Sequence, residues 1–164
     1  MEVVVPAGFD YLLATRTLMR PVSFFAERGV SRVAGREFSD PNLPVFLYVP
    51  AGKDGPKFLL TQNYLALKGY NFSDSYAMSV AHMTDRLKGG GGFADDWPRA
   101  TALPNLAQRK SIQQSLIRLG LYQGAVDGRL GPITQEAYAR FQAARGEVAD
   151  GFITRAAYDA LAAQ

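Results

Sequence analysis

The sequence predicts an α+β protein: a small antiparallel β-sheet with helices, a glycine-rich linker, and a three-helix domain. Three observations lead there. Short β-branched and aromatic runs end in Gly/Pro turns up to about residue 60 and then give way to helical spacing. Four consecutive glycines, Gly89 to Gly92, interrupt the chain just past its middle. Beyond them, Thr134-x-x-Ala137-Tyr138-x-x-Phe141 recurs twenty residues later as Thr154-x-x-Ala157-Tyr158-x-x-Leu161, each copy following an Asp-Gly pair. One capped amphipathic helix has been used twice.

In chain order, Glu2 to Val5 is β-branched and stops at Pro6. Pro21 to Arg28 reads as a helix: proline suits the first turn, Phe24 and Phe25 supply an apolar face, and Gly29 closes it. Val30 to Val33 and Pro44 to Val49 return to strand character. In the second of these, Val45, Leu47 and Val49 share one face while Phe46 and Tyr48 share the other, so both faces should be buried. Ala51 to Pro56 is a turn, and Lys57 to Leu60 a further strand. Thr61 to Lys68 is a short helix. Ser73-Asp74 caps a longer one to about Lys88, with an apolar stripe of Tyr76, Val80, Met83 and Leu87. His82, the only histidine, reads as a surface residue of that helix. The expected boundaries are 1–90 for the first region (sheet about 1–60, helices about 61–88), 91–104 for the linker, and 105–164 for the last domain. Trp97, in the linker, should pack onto one of the domains.

The last domain takes its helices from Leu106 to Leu119, Thr134 to Ala144 and Thr154 to Ala163. Ile112, Leu116 and Leu119 form the stripe of the first, and Gly120 lets Leu121 fold back on Leu116 in a Schellman closure. Asp127-Gly128 is a turn dipeptide, and Thr134 is placed to N-cap the second helix.

Composition bounds the function. Of 164 residues, 48% are apolar and 20% charged, as in globular proteins, and the net charge is +3. That surplus, without a basic run, argues against a nucleic-acid partner. No apolar stretch approaches a membrane span, so no membrane partner is expected. With no cysteine and one histidine, neither a disulfide nor a metal cluster is expected, and no P-loop or dinucleotide fingerprint calls for a cofactor.

The spelling around the central loop is more specific. Leu116-x-x-Leu119-Gly120-Leu121-Tyr122-x-Gly124-x-Val126-Asp127-Gly128-x-x-Gly131-Pro132-x-Thr134, closing in Phe141-Gln142, resembles the peptidoglycan-binding domain of cell-wall hydrolases. Tyr122, Asp127 and Arg129 are the exposed candidates for peptidoglycan contacts there, with Asp127 equally readable as a turn former. Upstream, Gly55 to Tyr64, Tyr70-Asn71-x-Ser73-x-Ser75-Tyr76 and Asp85-Arg86-Leu87 are similar to the C-terminal part of the catalytic region of B-family lytic murein transglycosylases. That resemblance implies that Tyr70, Asn71 and Tyr76 line a remnant of the glycan cleft. The alternative from the residues alone is that Tyr76 is core and Asn71 a turn residue.

The resemblance further implies one catalytic glutamate in a Glu-Ser-x-aromatic-Gly motif. The glutamates here are Glu2, Glu27, Glu37, Glu136 and Glu147, and none precedes a serine. No catalytic residue is therefore assigned, and the chain is expected to bind peptidoglycan without cleaving it. Catalysis would come from an upstream segment or a separate chain; the other reading is an active or complementing transglycosylase. Met1 to Pro6 lacks the features of a signal peptide, so the sequence as written points to the cytoplasm, whereas the resemblance implies the periplasm or cell wall.

Overall fold

Short runs of β-branched and aromatic residues build the first unit. The computed structural model describes residues 1–163 and divides into two compact units, one of Met1–Phe9, Arg16–Tyr48 and Pro56–Asp96, the other of Asp10–Thr15, Val49–Gly55 and the chain from Trp97 onward. In the first, strands β1 (Glu2–Val4), β2 (Arg20–Pro21), β3 (Ser31–Arg32), β4 (Pro44–Tyr48) and β5 (Lys57–Thr61) form one sheet in the order β2-β4-β5-β1-β3. Every pairing in it is antiparallel. The long central pair runs from Val45 opposite Thr61 to Tyr48 opposite Phe58. As the double-sided apolar pattern of β4 requires, Val45, Phe46 and Leu47 are all buried, as are Phe58, Leu59 and Leu60 on β5.

Helix α1 (Val22–Ala26) is shorter than expected. Pro21 stays extended and pairs with Pro44 across β2 and β4, so the helix begins one residue later. The strand expected over Val30–Val33 is reduced to two residues. Ala34 adopts a left-handed conformation (φ 59°), and Val33–Gly35 turns instead of extending.

Helices α2 (Gln62–Asn71) and α3 (Asp74–Leu87) follow the sheet. Ser73 caps α3 as expected, its hydroxyl accepting from Tyr76 N–H at 3.2 Å. The apolar stripe does not become its core face. Ala77 is the fully buried residue, whereas Tyr76, Met83 and Leu87 are exposed. The expected stripe followed the largest side chains, but this helix buries its small one. His82 is not a free surface residue either: its ring stacks on Phe93 at 4.0 Å between centroids, and Phe93 meets Phe58 edge-on at 5.4 Å. The glycines end α3, yet the chain after them is not set apart from the unit. The Glu2 carboxylate accepts from the backbone N–H groups of Ala94 and Asp95 at 2.9–3.1 Å.

The second unit holds α4 (Leu106–Arg118), α5 (Pro132–Ala144) and α6 (Arg155–Ala162). Asn105 and Gln108 form a reciprocal capping box at the start of α4. Its end is the anticipated closure, with Gly120 N–H donating to Ile117 O and Leu121 N–H to Leu116 O, both at 2.9 Å. Leu119 lies outside the stripe and is exposed. Ile112, Leu116, Ala137, Tyr138, Phe141, Ala157 and Leu161 make the core, the repeated helix positions meeting in one cluster. Thr134 does not cap α5. Pro132 occupies the first turn after Gly131, which moves Thr134 into the helix, where it is buried and its hydroxyl reaches Arg129 O.

A second repeat, hidden in the sequence, holds this unit together. Gln113 Oε1 accepts from Gly128 N–H at 2.7 Å, and its Nε2 donates to Asp127 Oδ1 at 3.0 Å and Arg129 O at 3.1 Å. Gln142 repeats the clamp on the next Asp-Gly, with Gly151 N–H at 2.8 Å and Asp150 Oδ1 at 3.1 Å. Both glycines have positive φ, and a Cβ on either would meet Leu106 Cδ1 at 2.6 Å or Gln135 O at 2.7 Å. Asp150 also uses its other oxygen, Oδ2, to accept from Lys53 N–H at 2.8 Å, and Thr15 Oγ1 donates to Glu136 at 2.6 Å. These contacts bring the short segments Asp10–Thr15 and Val49–Gly55 into this unit.

Candidate functional site

The candidate site of the first unit is the elbow between α2 and α3. Helix α2 cannot continue past Asn71, because Phe72 takes a left-handed conformation (φ 50°) and its N–H closes back on Lys68 O. Such a conformation is costly for an aromatic residue and must be held by its surroundings. Phe72 itself is 86% exposed, so its side chain contributes little of that hold. The hold comes from Asp74, the first residue of α3. Its Oδ1 accepts from Arg16 Nη1 at 2.6 Å and from the Tyr64 hydroxyl at 3.0 Å, and its Oδ2 accepts from Lys68 Nζ at 3.0 Å. The Arg16 guanidinium in turn lies 4.4 Å above the Tyr48 ring.

Burial works to raise the pKa of the Asp74 carboxyl, but the hydrogen bonds and charges of Arg16 and Lys68 outweigh it and hold the group below its ordinary value. Burial, with Tyr48 and Asp74 beside it, pushes the Tyr64 phenol well up, and burial likewise raises Tyr48. An anionic Asp74 with two cations is an anchor, and its shift runs opposite to what a general acid needs. Sequence reading gave Asp74 only a capping role. Its partners lie six to 58 residues away, a separation that no local pattern reveals.

What the elbow presents is aromatic. Tyr70 is 82% exposed and stacks on Tyr76, with centroids 6.3 Å apart and planes 29° from parallel. Asn71 is exposed beside them at the helix end. Tyr70, Asn71 and Tyr76 are thus brought together, and Tyr76 is not core. Of the glutamates of this unit, Glu2 accepts from backbone N–H groups, and Glu27 and Glu37 are exposed outside α2 and α3.

In the second unit the candidates separate. Tyr122 is not an exposed contact residue. It is 8% exposed within the core, and its hydroxyl donates to Ala125 O at 3.1 Å. The Schellman closure that folds Leu121 back carries Tyr122 inward with it. Asp127 forms the turn, its Oδ1 accepting from Arg129 N–H at 2.8 Å, and this contact with the Gln113 amide lowers its pKa. Asp127 and Arg129 remain exposed on that turn. Among the described residues no group of three or more His, Cys, Asp or Glu side chains is arranged to hold a metal ion. Among the described residues, no helix is long and apolar enough to cross a membrane.

Residues 105–161 match the family described as putative peptidoglycan binding domain. No curated protein matches the chain. Solved structures do, among them two of SltB3 from Pseudomonas aeruginosa, one in complex with NAG-anhNAM-pentapeptide and one with NAG-NAM-pentapeptide. Each is 37% identical with a TM-score of 0.89. The matches cover 99% and 98% of this chain and 44% of each SltB3 chain, so this chain spans less than half the length of those relatives. Its residues 1–85, which contain the sheet and the tyrosine elbow, match the family described as transglycosylase SLT domain, and to that family the chain belongs.

Proposed function

We propose that the chain binds peptidoglycan without cleaving it, in the cell wall, through the Tyr70–Asn71–Tyr76 elbow and the Asp127–Arg129 turn. The observation that carries this reading is the exposed, stacked tyrosine pair on an anchored elbow, within the stretch that matches the transglycosylase family. A flat aromatic face covers the apolar face of a pyranose, and the Asn71 amide can both donate to and accept from sugar hydroxyls. The two SltB3 relatives were solved with glycan–peptide fragments, and the second family match is to a peptidoglycan-binding domain. Against cleavage stands the chemistry. No glutamate precedes a serine, and the carboxylate nearest the elbow is a doubly paired anion.

The test is sedimentation of the purified chain with peptidoglycan sacculi, with mass spectrometry of the supernatant. The chain should pellet with sacculi and release no anhydro-muropeptides. The double variant Tyr70→Ala/Tyr76→Ala and the variant Arg129→Ala should each leave more protein in solution. Anhydro products above a buffer control, abolished by replacing one carboxylate, would make the chain an enzyme; failure to pellet would remove the binding reading. One observation favours a second reading, a complementing part of a transglycosylase. Phe72 at the elbow and Met83 and Leu87 further along α3 are large apolar side chains left exposed, in a chain that spans 44% of the length of its solved relatives. In that case sacculi would be cleaved only after addition of a segment carrying the glutamate motif.

A further inference from the structure

The first unit contains a cavity, away from the tyrosine elbow, that neither reading above uses. It has a volume of about 380 Å³ and is bounded by the sheet residues Arg32 and Phe58, by Arg36, and by the later turns of α3 with the glycines that follow. Three cationic side chains, Arg32, Arg36 and Lys88, line it, and none of them forms an ion pair among the described residues. Asp85 and Glu2 line the same cavity, but Glu2 is taken up by Ala94 and Asp95 N–H. Arg32 gives one Nη to Glu37 O, and its buried Nε has no hydrogen-bond partner. A buried guanidinium N–H left unmade is costly, and the partner that suits a guanidinium best is a carboxylate. Met1 also lines it, its terminal ammonium donating to Leu59 O, and one part of the wall is aromatic, with Phe93 packing on both Phe58 and His82.

We propose that this cavity binds the free carboxylate of a short peptide, with Arg32 and Lys88 on the carboxylate and the Phe58–Phe93–His82 wall against its small apolar side chains. The choice of a peptide rests on the peptidoglycan reading, since stem peptides are the carboxylate-bearing part of that polymer; the anion site itself rests on the unpaired cations. Its place on α3, around Ala81, His82 and Asp85, is about one and a half to two and a half turns from Tyr76, so the cavity would hold peptide while the elbow holds glycan.

The single histidine makes the test direct, because the ring protons of His82 give one set of proton NMR signals from inside the site. The full chain is titrated with N-acetyl-D-alanyl-D-alanine, with its C-terminal amide, and with acetate and inorganic phosphate. The expected result is a saturable His82 shift with the carboxylate peptide, little with the amide, and a weaker response to acetate and phosphate. Arg32→Gln and, as an exposed position that leaves the sheet untouched, Lys88→Gln should each weaken binding by about tenfold, the loss of one charge-assisted hydrogen bond. Equal response to acid and amide, no saturable shift, or unchanged affinity in both variants would overturn the site. A response to acetate or phosphate as strong as to the peptide would overturn the peptide assignment. Sacculi sedimentation in parallel separates the two claims, because loss of the His82 response with intact sedimentation fails the cavity alone.

Discussion

Gln113→Leu tests the buried clamp that orders the central loop. Gln113 is fully buried, and its amide accepts from Gly128 N–H while donating to Asp127 Oδ1 and Arg129 O. Leucine fills similar space but makes none of these bonds. Asp127 Oδ1 keeps the Arg129 N–H, and Arg129 O keeps the Thr134 hydroxyl, so neither acceptor is stranded. Gly128 N–H is stranded, since Gly128 is buried and its φ of +77° fixes the direction of that bond. One orphaned buried donor costs about 1–3 kcal/mol. Taking about 2 kcal/mol, a domain of this size should lose roughly 8–16 °C in Tm. The assay is thermal unfolding of the full chain by far-ultraviolet circular dichroism, following the transition of the helical unit. Gln113→Glu sharpens it, because it places a carboxylate against Asp127, so its loss should be larger at neutral pH than in acid. A Gln113→Leu shift below about 2 °C would refute the reasoning and mean that the loop satisfies Gly128 some other way.

Two further outcomes are expected. Asp74→Asn should destabilise the elbow at neutral pH. The folded carboxyl titrates below its ordinary value of 3.8, so its contribution is complete above that value and is lost as pH falls through the folded pKa. Urea melts from neutral pH downward should therefore show a constant gap between the two proteins that closes in acid, and a gap independent of pH would contradict the ion-pair account. Residues 105–164 expressed alone should melt cooperatively but below the corresponding transition in the full chain, because Asp150 then loses Lys53 N–H and Glu136 loses the Thr15 hydroxyl; a non-cooperative profile would mean that the helices need those segments to fold.

Local pattern by itself determined the order of the helices and of four of the five strands, β2 excepted, the burial of both faces of β4, the Schellman closure after α4, and the repeated helix. Each follows from stereochemistry or periodicity within a few residues. The motif spelling located both family matches. Tertiary structure alone decided which side of each element faces inward. The stripe of Tyr76, Met83 and Leu87 had helical spacing, yet Ala77 is the residue α3 buries, because periodicity gives the angle between side chains and not the identity of the face in contact. Tyr122, expected at the surface, lies in the core, since a chain reversal sets its direction. The anchor of the elbow, the twin glutamine clamps and the unpaired cations around the cavity were also beyond local reading. Arg16 and Asp74 are 58 residues apart, and Gln113 and Gly128 fifteen. Hydrogen bonds and charges act over a few ångströms of space whatever the separation in sequence, so only the folded chain shows which of them meet.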